Sequence, residues 1–234
     1  SSFLAGNLQV TLDTGADFLT TQPPSRIKDA AQLLMLRATI QNTNNGSPSL
    51  ADARKIYSEL TANKQDSTDS KHATLLLARA ESESHNQDKA RELLGKISRD
   101  PSLKTAVELE SARTFIRERK WSNAITHYKA WLEMNKNASL AQQAKITFDL
   151  GWLHHLNNDF TKAEEVCLSV VSKYPDAPEA ARAHMWIADR SFSRNNPNYV
   201  KAEEEYQKVR DIKKCPTLLR YRASLMAGRS ALAR

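Results

Sequence analysis

The chain has 234 residues, of which 40% are hydrophobic and 26% are charged, and its formal net charge is +7. This composition is ordinary for a soluble protein, and no apolar run reaches the roughly 18 residues that a membrane-spanning helix needs. No secretory signal is visible at the N-terminus. The positive charge permits an anionic partner, but it is spread along the chain and partly offset by acidic runs, so charge alone selects no partner.

The sequence predicts helices almost throughout, because only 6 Gly and 8 Pro interrupt it and apolar residues recur at helical spacing. Residues 3–19 form a first helix, which Pro23 and Pro24 end. Later helices are predicted at residues 28–41, 50–62, 71–85, 88–97, 103–119, 124–134, 140–156, 160–173, 177–194, 199–212 and 217–234. No run keeps the alternation of a strand. We therefore expect an all-α fold of about twelve helices.

The predicted helices repeat a pattern in pairs. An alanine marks the second helix of each pair, at steps of 37, 34, 39 and 39 residues: Ala53, Ala90, Ala124, Ala163 and Ala202. Larger residues follow four and then seven positions later: Tyr57 and Leu60, Leu94 and Ile97, Tyr128 and Trp131, Cys167 and Val170, Tyr206 and Val209. Small residues recur in the first helices at Ala78, Ala112 and Gly151. Two helices approach closely only where side chains are small, so the pattern predicts helical hairpins that stack to bury their apolar faces.

This pattern resembles the tetratricopeptide repeat family. The best-matching residues are Leu150, Gly151, Ala163 and Pro175 in one repeat, and Ala112, Phe115, Ala124 and Tyr128 in another. The resemblance implies a right-handed α-solenoid of stacked antiparallel hairpins. Residues 1–26 would be an N-terminal helix and linker, and residues 27–234 an array of five hairpins with a sixth begun. The phrase KYPDAPEAARA at residues 173–183 is similar to the longer repeats of bacterial envelope proteins. The chain starts with Ser and ends inside a helical pattern, which predicts that it is part of a longer protein.

The resemblance also implies that the first helices line a concave, partner-binding groove. The residues expected there are Arg79, Arg113, Arg117, Lys145, Phe148, Trp152, His155, Arg182, Asp189, Phe192, Arg222 and Arg229. Arginine and aromatic side chains on one surface suit an extended or acidic peptide. For Phe148, Trp152 and Phe192, packing between hairpins remains an alternative to a place in the groove.

No motif for catalysis or for a cofactor is present. His154 and His155 are adjacent and point about 100° apart on a helix, so they cannot form the i, i+4 pair of a zinc site. Cys167 and Cys215 lie 48 positions apart, without metal-ligand spacing, and are expected to be free thiols. No phosphate-binding loop, dinucleotide-binding fingerprint or hydrolase elbow occurs. We therefore expect no enzyme activity, no cofactor and no metal.

The sequence thus predicts a non-enzymatic scaffold that binds a protein or an extended peptide, in a bacterial envelope assembly. One alternative is that the array is a regulatory or targeting segment of a larger enzyme. Another is nucleic-acid binding through the basic surface, which is disfavoured because no dense basic cluster interleaved with aromatic residues occurs. A small-molecule substrate is not expected. The compartment is left open between the periplasm or envelope and the cytoplasm.

Overall fold

A computed structural model describes residues 7–42, 50–62 and 67–234, apart from the side chain of Asn42, and this part of the chain contains helices and no strand. Its twelve helices are α1 (Leu8–Thr20), α2 (Ser25–Asn42), α3 (Leu50–Thr61), α4 (Thr68–Glu83), α5 (Gln87–Ile97), α6 (Lys104–Arg117), α7 (Trp121–Met134), α8 (Leu140–Leu156), α9 (Phe160–Lys173), α10 (Pro178–Ser193), α11 (Tyr199–Asp211) and α12 (Thr217–Ala233). No helix in the described ranges is both long and apolar enough to cross a membrane.

The helices form two compact units, residues 1–119 and residues 120–234. In unit 1, each of the helices α1 to α5 packs against the next along the chain, and α4 also contacts α2 and α6. In unit 2, α8 to α12 likewise pack in chain order, α7 packs on α8, and α10 also contacts α8 and α12. Neighbour packing together with contact between alternate helices is the arrangement of stacked hairpins. The predicted all-α fold of tetratricopeptide-like hairpins is confirmed.

The repeated alanines lie where the hairpins are most tightly packed. Ala53, Ala90, Ala124, Ala163 and Ala202 all have an exposed fraction of zero. The larger residues that follow them are buried as well, apart from the half-buried Tyr57. Among the small residues of the first helices, Ala78, Ala112 and Gly151 are also buried. The alternation of small and large residues along the sequence therefore corresponds to close contacts and filled gaps in the core.

Tight turns end the first helices of two hairpins in the same way. His85 follows α4 with φ of 64°, and Asn158 follows α8 with φ of 60°. The next amide in each case donates back five residues, from Asn86 to the carbonyl of Glu81 at 2.8 Å and from Asp159 to that of His154 at 2.9 Å. This is a Schellman ending, which satisfies a helix carbonyl and reverses the chain.

Three helices, α2, α4 and α7, begin three residues earlier than the sequence predicted. Helix α4 begins at Thr68 because the Ser67 carbonyl accepts a hydrogen bond from the amide of Lys71 at 3.0 Å. Helix α2 begins at Ser25 because the Pro24 carbonyl accepts hydrogen bonds from the amides of Ile27 and Lys28, both at 2.9 Å. Helix α7 begins at Trp121 because the Lys120 carbonyl accepts from the amide of Ala124 at 3.1 Å. The predicted helix residues 3–6 and most of the predicted loop at 41–49 lie outside the described residues. Helix α1 packs against α2, and the start of the array at residue 27 stays a prediction.

Candidate functional site

The arginines predicted for the groove of unit 1 lie beside carboxylates. Arg79 donates from Nε to Glu83 Oε1 at 3.0 Å, and Arg117 Nη2 lies 3.6 Å from the same oxygen. Arg117 Nη1 also donates to Ser82 Oγ at 3.0 Å, while Arg113 forms an ion pair with Glu110. Three cations therefore share two carboxylates. This face carries much less free positive charge than the sequence suggested.

An ion pair joins Arg54 of α3, whose side chain is 50% exposed, to the buried Glu81 of α4, and sequence reasoning missed it. Arg54 donates to both oxygens of Glu81, at 2.7 and 2.8 Å, and Asn86 Nδ2 donates to Glu81 Oε2 at 2.9 Å. Glu81 has an exposed fraction of zero. The hydrogen bond from Arg54 lowers the pKa of Glu81, against the effect of burial. The carboxylate is fully bonded, so its role is structural rather than catalytic.

In unit 2, Trp152 and His155 belong to an aromatic cluster, which we define as Trp152, His155, Phe160 and Trp186. The His155 ring lies 4.9 Å from that of Trp152, 5.5 Å from that of Phe160 and 5.8 Å from that of Trp186, measured between ring centroids. The Arg190 guanidinium stacks over the Phe160 ring at 4.1 Å, a distance suited to a cation–π contact. Phe160, Trp186 and Arg190 were not predicted for the site. Their contribution depends on how α8, α9 and α10 pack.

The surroundings of His155 in this cluster favour its neutral form. Burial lowers the pKa of His155, and the nearby Arg190 charge lowers it further. Its Nδ1 atom has no hydrogen-bond partner among the residues that the structure describes. Trp152, by contrast, keeps 45% of its surface exposed. The cluster therefore presents a large, neutral aromatic side chain to solvent, supported from beneath by other rings.

The two phenylalanines predicted for the groove belong largely to the core. Phe148 is half-buried and packs against a core cluster that contains Ala163, Cys167 and Val170. Phe192 packs against another core cluster, and its ring lies 5.3 Å from that of Tyr199. The sequence left two alternatives for Phe148, Trp152 and Phe192, packing between hairpins or a place in the groove. Of these three residues, only Trp152 is exposed.

The charged residues predicted for the groove of unit 2 differ in their pairing. Lys145 Nζ lies 2.8 Å from Asp149 Oδ2. Asp189 accepts from Tyr206 Oη at 2.6 Å and from Arg222 Nη2 at 3.0 Å.

The remaining two arginines keep an exposed charge. The Arg229 guanidinium lies 5.8 Å from the Phe192 ring centroid, and Arg229 itself is exposed. Arg182 is exposed and has no ion pair within the described ranges. Arg182 and Trp152 are therefore the predicted groove residues most available to a partner.

Two other histidines of unit 2, His154 and His184, and both cysteines are buried or half-buried. His184 Nδ1 lies 2.6 Å from Glu205 Oε2, and burial lowers the pKa of His154. Cys167 and Cys215 are free and buried, and burial raises the pKa of the Cys167 thiol to about 12. Across residues 7–42, 50–62 and 67–234, no three His, Cys, Asp or Glu side chains come together as a metal ion would require. The fold and these surfaces define a helical repeat protein.

Comparisons with known proteins agree with that class. Residues 109–178 match the tetratricopeptide repeat family. A tetratricopeptide repeat protein from Parabacteroides merdae is 14% identical, with 99% of this chain and 82% of that chain covered at a TM-score of 0.65. The structure of PilF from Pseudomonas aeruginosa is 13% identical, with 89% and 91% covered at a TM-score of 0.57. At these identities the likeness shows the fold alone. No curated protein sequence matches the chain.

Proposed function

We propose that this protein is a non-enzymatic scaffold that holds a protein or peptide partner against the exposed faces of its first helices. The tetratricopeptide repeats of residues 109–178 support the class of partner, because such hairpin arrays present extended binding surfaces. The observation that carries the proposal is Trp152, an exposed aromatic side chain whose ring lies 4.9 Å from that of His155. Exposed aromatic and arginine residues are typical of the residues that dominate binding energy at protein interfaces.

Unit 2 supports the proposal more strongly than unit 1. Arg182 carries an unpaired charge on α10, whereas Arg79, Arg113 and Arg117 of unit 1 are bonded to nearby carboxylates or hydroxyls. Internal pairing reduces what a charge can contribute to a partner, because the existing bond must be exchanged for the new one. We therefore place the main binding surface on α8 and α10, with an extended or acidic segment as the partner.

A bacterial envelope assembly is the setting that we propose. Its support is the phrase KYPDAPEAARA at residues 173–183, which is similar to the longer repeats of bacterial envelope proteins. Fractionation of the source cells, followed by detection of the protein with an antibody, tests this setting. Recovery in the cytosolic fraction alone would contradict it.

Site-specific photo-cross-linking tests the binding surface. Benzoylphenylalanine placed at Trp152 should cross-link a protein partner in cells that produce the full-length protein. The matched control is Leu168 on α9, which is equally exposed, at 46% against 45%, but belongs to a second helix. A protein adduct from position 152 and none from 168 is expected. Equal adducts from both positions, or adducts only from 168, would contradict the proposal, and an adduct removed by nuclease would favour nucleic acid.

A further inference from the structure

A pocket in unit 2 lies outside the predicted groove. It has a volume of about 220 Å³, and its walls come from the start of α8, the turn between α9 and α10, and the turn between α11 and α12. Because three successive segments of the array bound it, the pocket is not a helix face left open at one end of the chain. Its apolar walls include Leu140, Tyr174, Pro175 and Pro178.

Hydrogen bonds and two prolines fix the wall between α9 and α10. The Tyr174 hydroxyl donates to Gln143 Oε1 at 3.2 Å, and the Gln143 side-chain amide donates to the Ala138 carbonyl at 2.7 Å. The rings of Pro175 and Pro178 restrict the backbone φ angle at both positions. Little conformational entropy is therefore lost from this wall when a ligand enters, which favours binding.

The pocket has room for one apolar side chain. An apolar cavity of about 150 Å³ accepts a benzene ring, so a volume of about 220 Å³ admits a side chain of leucine size. Leu140 keeps 70% of its surface exposed although it forms part of the wall. An apolar ligand group would remove this surface from water, which is favourable.

Two lysines without an internal partner line the same pocket. Lys173 and Lys214 are exposed, and neither forms an ion pair within residues 7–42, 50–62 and 67–234. Asp176 also belongs to the lining, so positive charge exceeds negative charge among the described lining residues. Charge complementarity therefore favours a ligand that carries carboxylates next to its apolar side chain.

The described residues of the chain contain no segment of this kind. A complementary segment has an exposed large apolar residue with Asp or Glu within two positions on each side. Among the exposed large apolar residues of the described ranges, Phe18, Ile27 and Met134 have such an acidic neighbour on one side only, and the others have none. The described part of a second copy therefore offers no matching ligand. The net charge of +7 also opposes the approach of two copies.

We propose that this pocket binds one apolar side chain of a partner protein, in a segment with Asp or Glu on both sides of that residue. The apolar side chain enters the pocket, and the flanking carboxylates pair with Lys173 and Lys214. The site is separate from the surface proposed around Trp152, because Leu140 and Trp152 are 12 residue steps apart on α8, which is about 18 Å. It goes beyond the proposed function because it adds a second contact point of defined chemistry.

The probe is a short fluorescein-labelled peptide with leucine at its centre and two glutamates on each side. One control peptide has serine in place of the leucine, and a second control has lysine in place of every glutamate. In a fluorescence anisotropy titration, the full chain should bind the probe at least tenfold more tightly than either control. Equal binding of the three peptides would overturn the proposal.

Variants of the protein test the lysines and the apolar wall separately. Lys173→Glu together with Lys214→Glu should exchange the preference, so that the lysine peptide binds better, whereas Asp176→Asn should strengthen binding of the probe. Leu140→Ser should weaken binding of the probe several-fold. The matched control is Lys213→Glu, because Lys213 is as exposed in the same turn but does not line the pocket, and it should have a much smaller effect than Lys214→Glu.

The substituted side chains are exposed, so the circular dichroism spectrum should not change in any of these variants. An unchanged affinity of the probe for Leu140→Ser, or for the double lysine variant, would overturn the proposal.

Photo-cross-linking from position 140 identifies the occupant of the pocket. Benzoylphenylalanine at Leu140, in a lysate of cells that produce the full-length protein, should give a protein adduct that excess glutamate peptide suppresses and lysine peptide does not. An adduct within the same chain, an adduct of two copies, or no adduct would overturn the proposal. If position 152 cross-links a partner but the probe does not bind, the pocket inference fails and the scaffold function stands. If the probe binds but position 152 cross-links nothing, the surface proposed on α8 and α10 fails instead.

Discussion

Gly151 allows a quantitative test of how the hairpin of α8 and α9 packs. A Cβ atom added at Gly151 would lie 3.2 Å from Val166 Cγ1 and 3.3 Å from Cys167 Sγ. Non-bonded carbon atoms prefer about 3.5–4.0 Å, so even one extra carbon forces the two helices or their side chains apart. Cys167 is 1% exposed and has little room to move.

Leucine at this position adds three further carbons beyond that Cβ. Overpacking a filled core costs about 1–3 kcal/mol, whereas the exchange of glycine for a better helix former returns about 0.8–1 kcal/mol. We therefore expect Gly151→Leu to lower the free energy of unfolding by up to about 2 kcal/mol. For Gly151→Ala, the two effects are of similar size and the net change is close to zero.

Gly228 on α12 is the matched control, because an added Cβ there would meet nothing within 4 Å. Gly228→Leu should raise stability by up to about 1 kcal/mol through helix propensity alone. Urea unfolding of both variants and the wild type, followed by circular dichroism and tryptophan fluorescence, measures the difference. If Gly151→Leu is as stable as Gly228→Leu, the close contact between α8 and α9 is not present and the packing argument is wrong.

Two other predictions concern buried charge. Arg54→Ala should cost about 1–3 kcal/mol, because the buried Glu81 carboxylate loses its main partner and keeps only Asn86, although the Arg54 side chain is itself 50% exposed. Arg79→Ala, which removes an exposed i, i+4 pair, should cost about 0.5 kcal/mol or less. Equal losses in urea unfolding would show that Glu81 is not held by Arg54. The lowered pKa values of His154 and His155 mean that the unfolded chain binds protons more readily than the folded one. Stability should therefore be complete above the unfolded histidine pKa of about 6.5 and should decline as the pH falls towards the lowered values. The difference between the melting temperatures at neutral and at mildly acidic pH should be smaller in His155→Phe than in the wild type. An unchanged difference would show that His155 does not contribute to the loss of stability at low pH.

The sequence by itself determined the helices and the register of their packing. Helix formation depends on the spacing of apolar residues and on turns within a few positions, and both are local in the chain. Ala53, Ala124 and Ala202 could be aligned across repeats, and all three are fully buried. The repeated pattern strengthened the prediction because each hairpin supplied an independent copy of the same packing requirement.

The exposed apolar residues of α12 lie between what the sequence determined and what only the tertiary structure decided. Leu218, Tyr221 and Leu225 recur at helical spacing in the sequence, but the other side of the same helix is also apolar. Periodicity therefore could not indicate which side the core covers. Only the packing of α12 on α11 shows that Leu218, Tyr221 and Leu225 lie on the side of the helix that faces away from the core.

The tertiary structure alone decided which charges and rings are available to a partner. Arg54 and Glu81 are 27 positions apart, and Arg117 and Ser82 are 35 positions apart, so no local pattern could pair them. Phe148 and Trp152 are one helical turn apart on α8, yet neighbouring helices cover one and leave the other exposed. Side-chain partners from distant segments set the free charge and the exposure of a surface residue, and these depend on the three-dimensional packing of the hairpins.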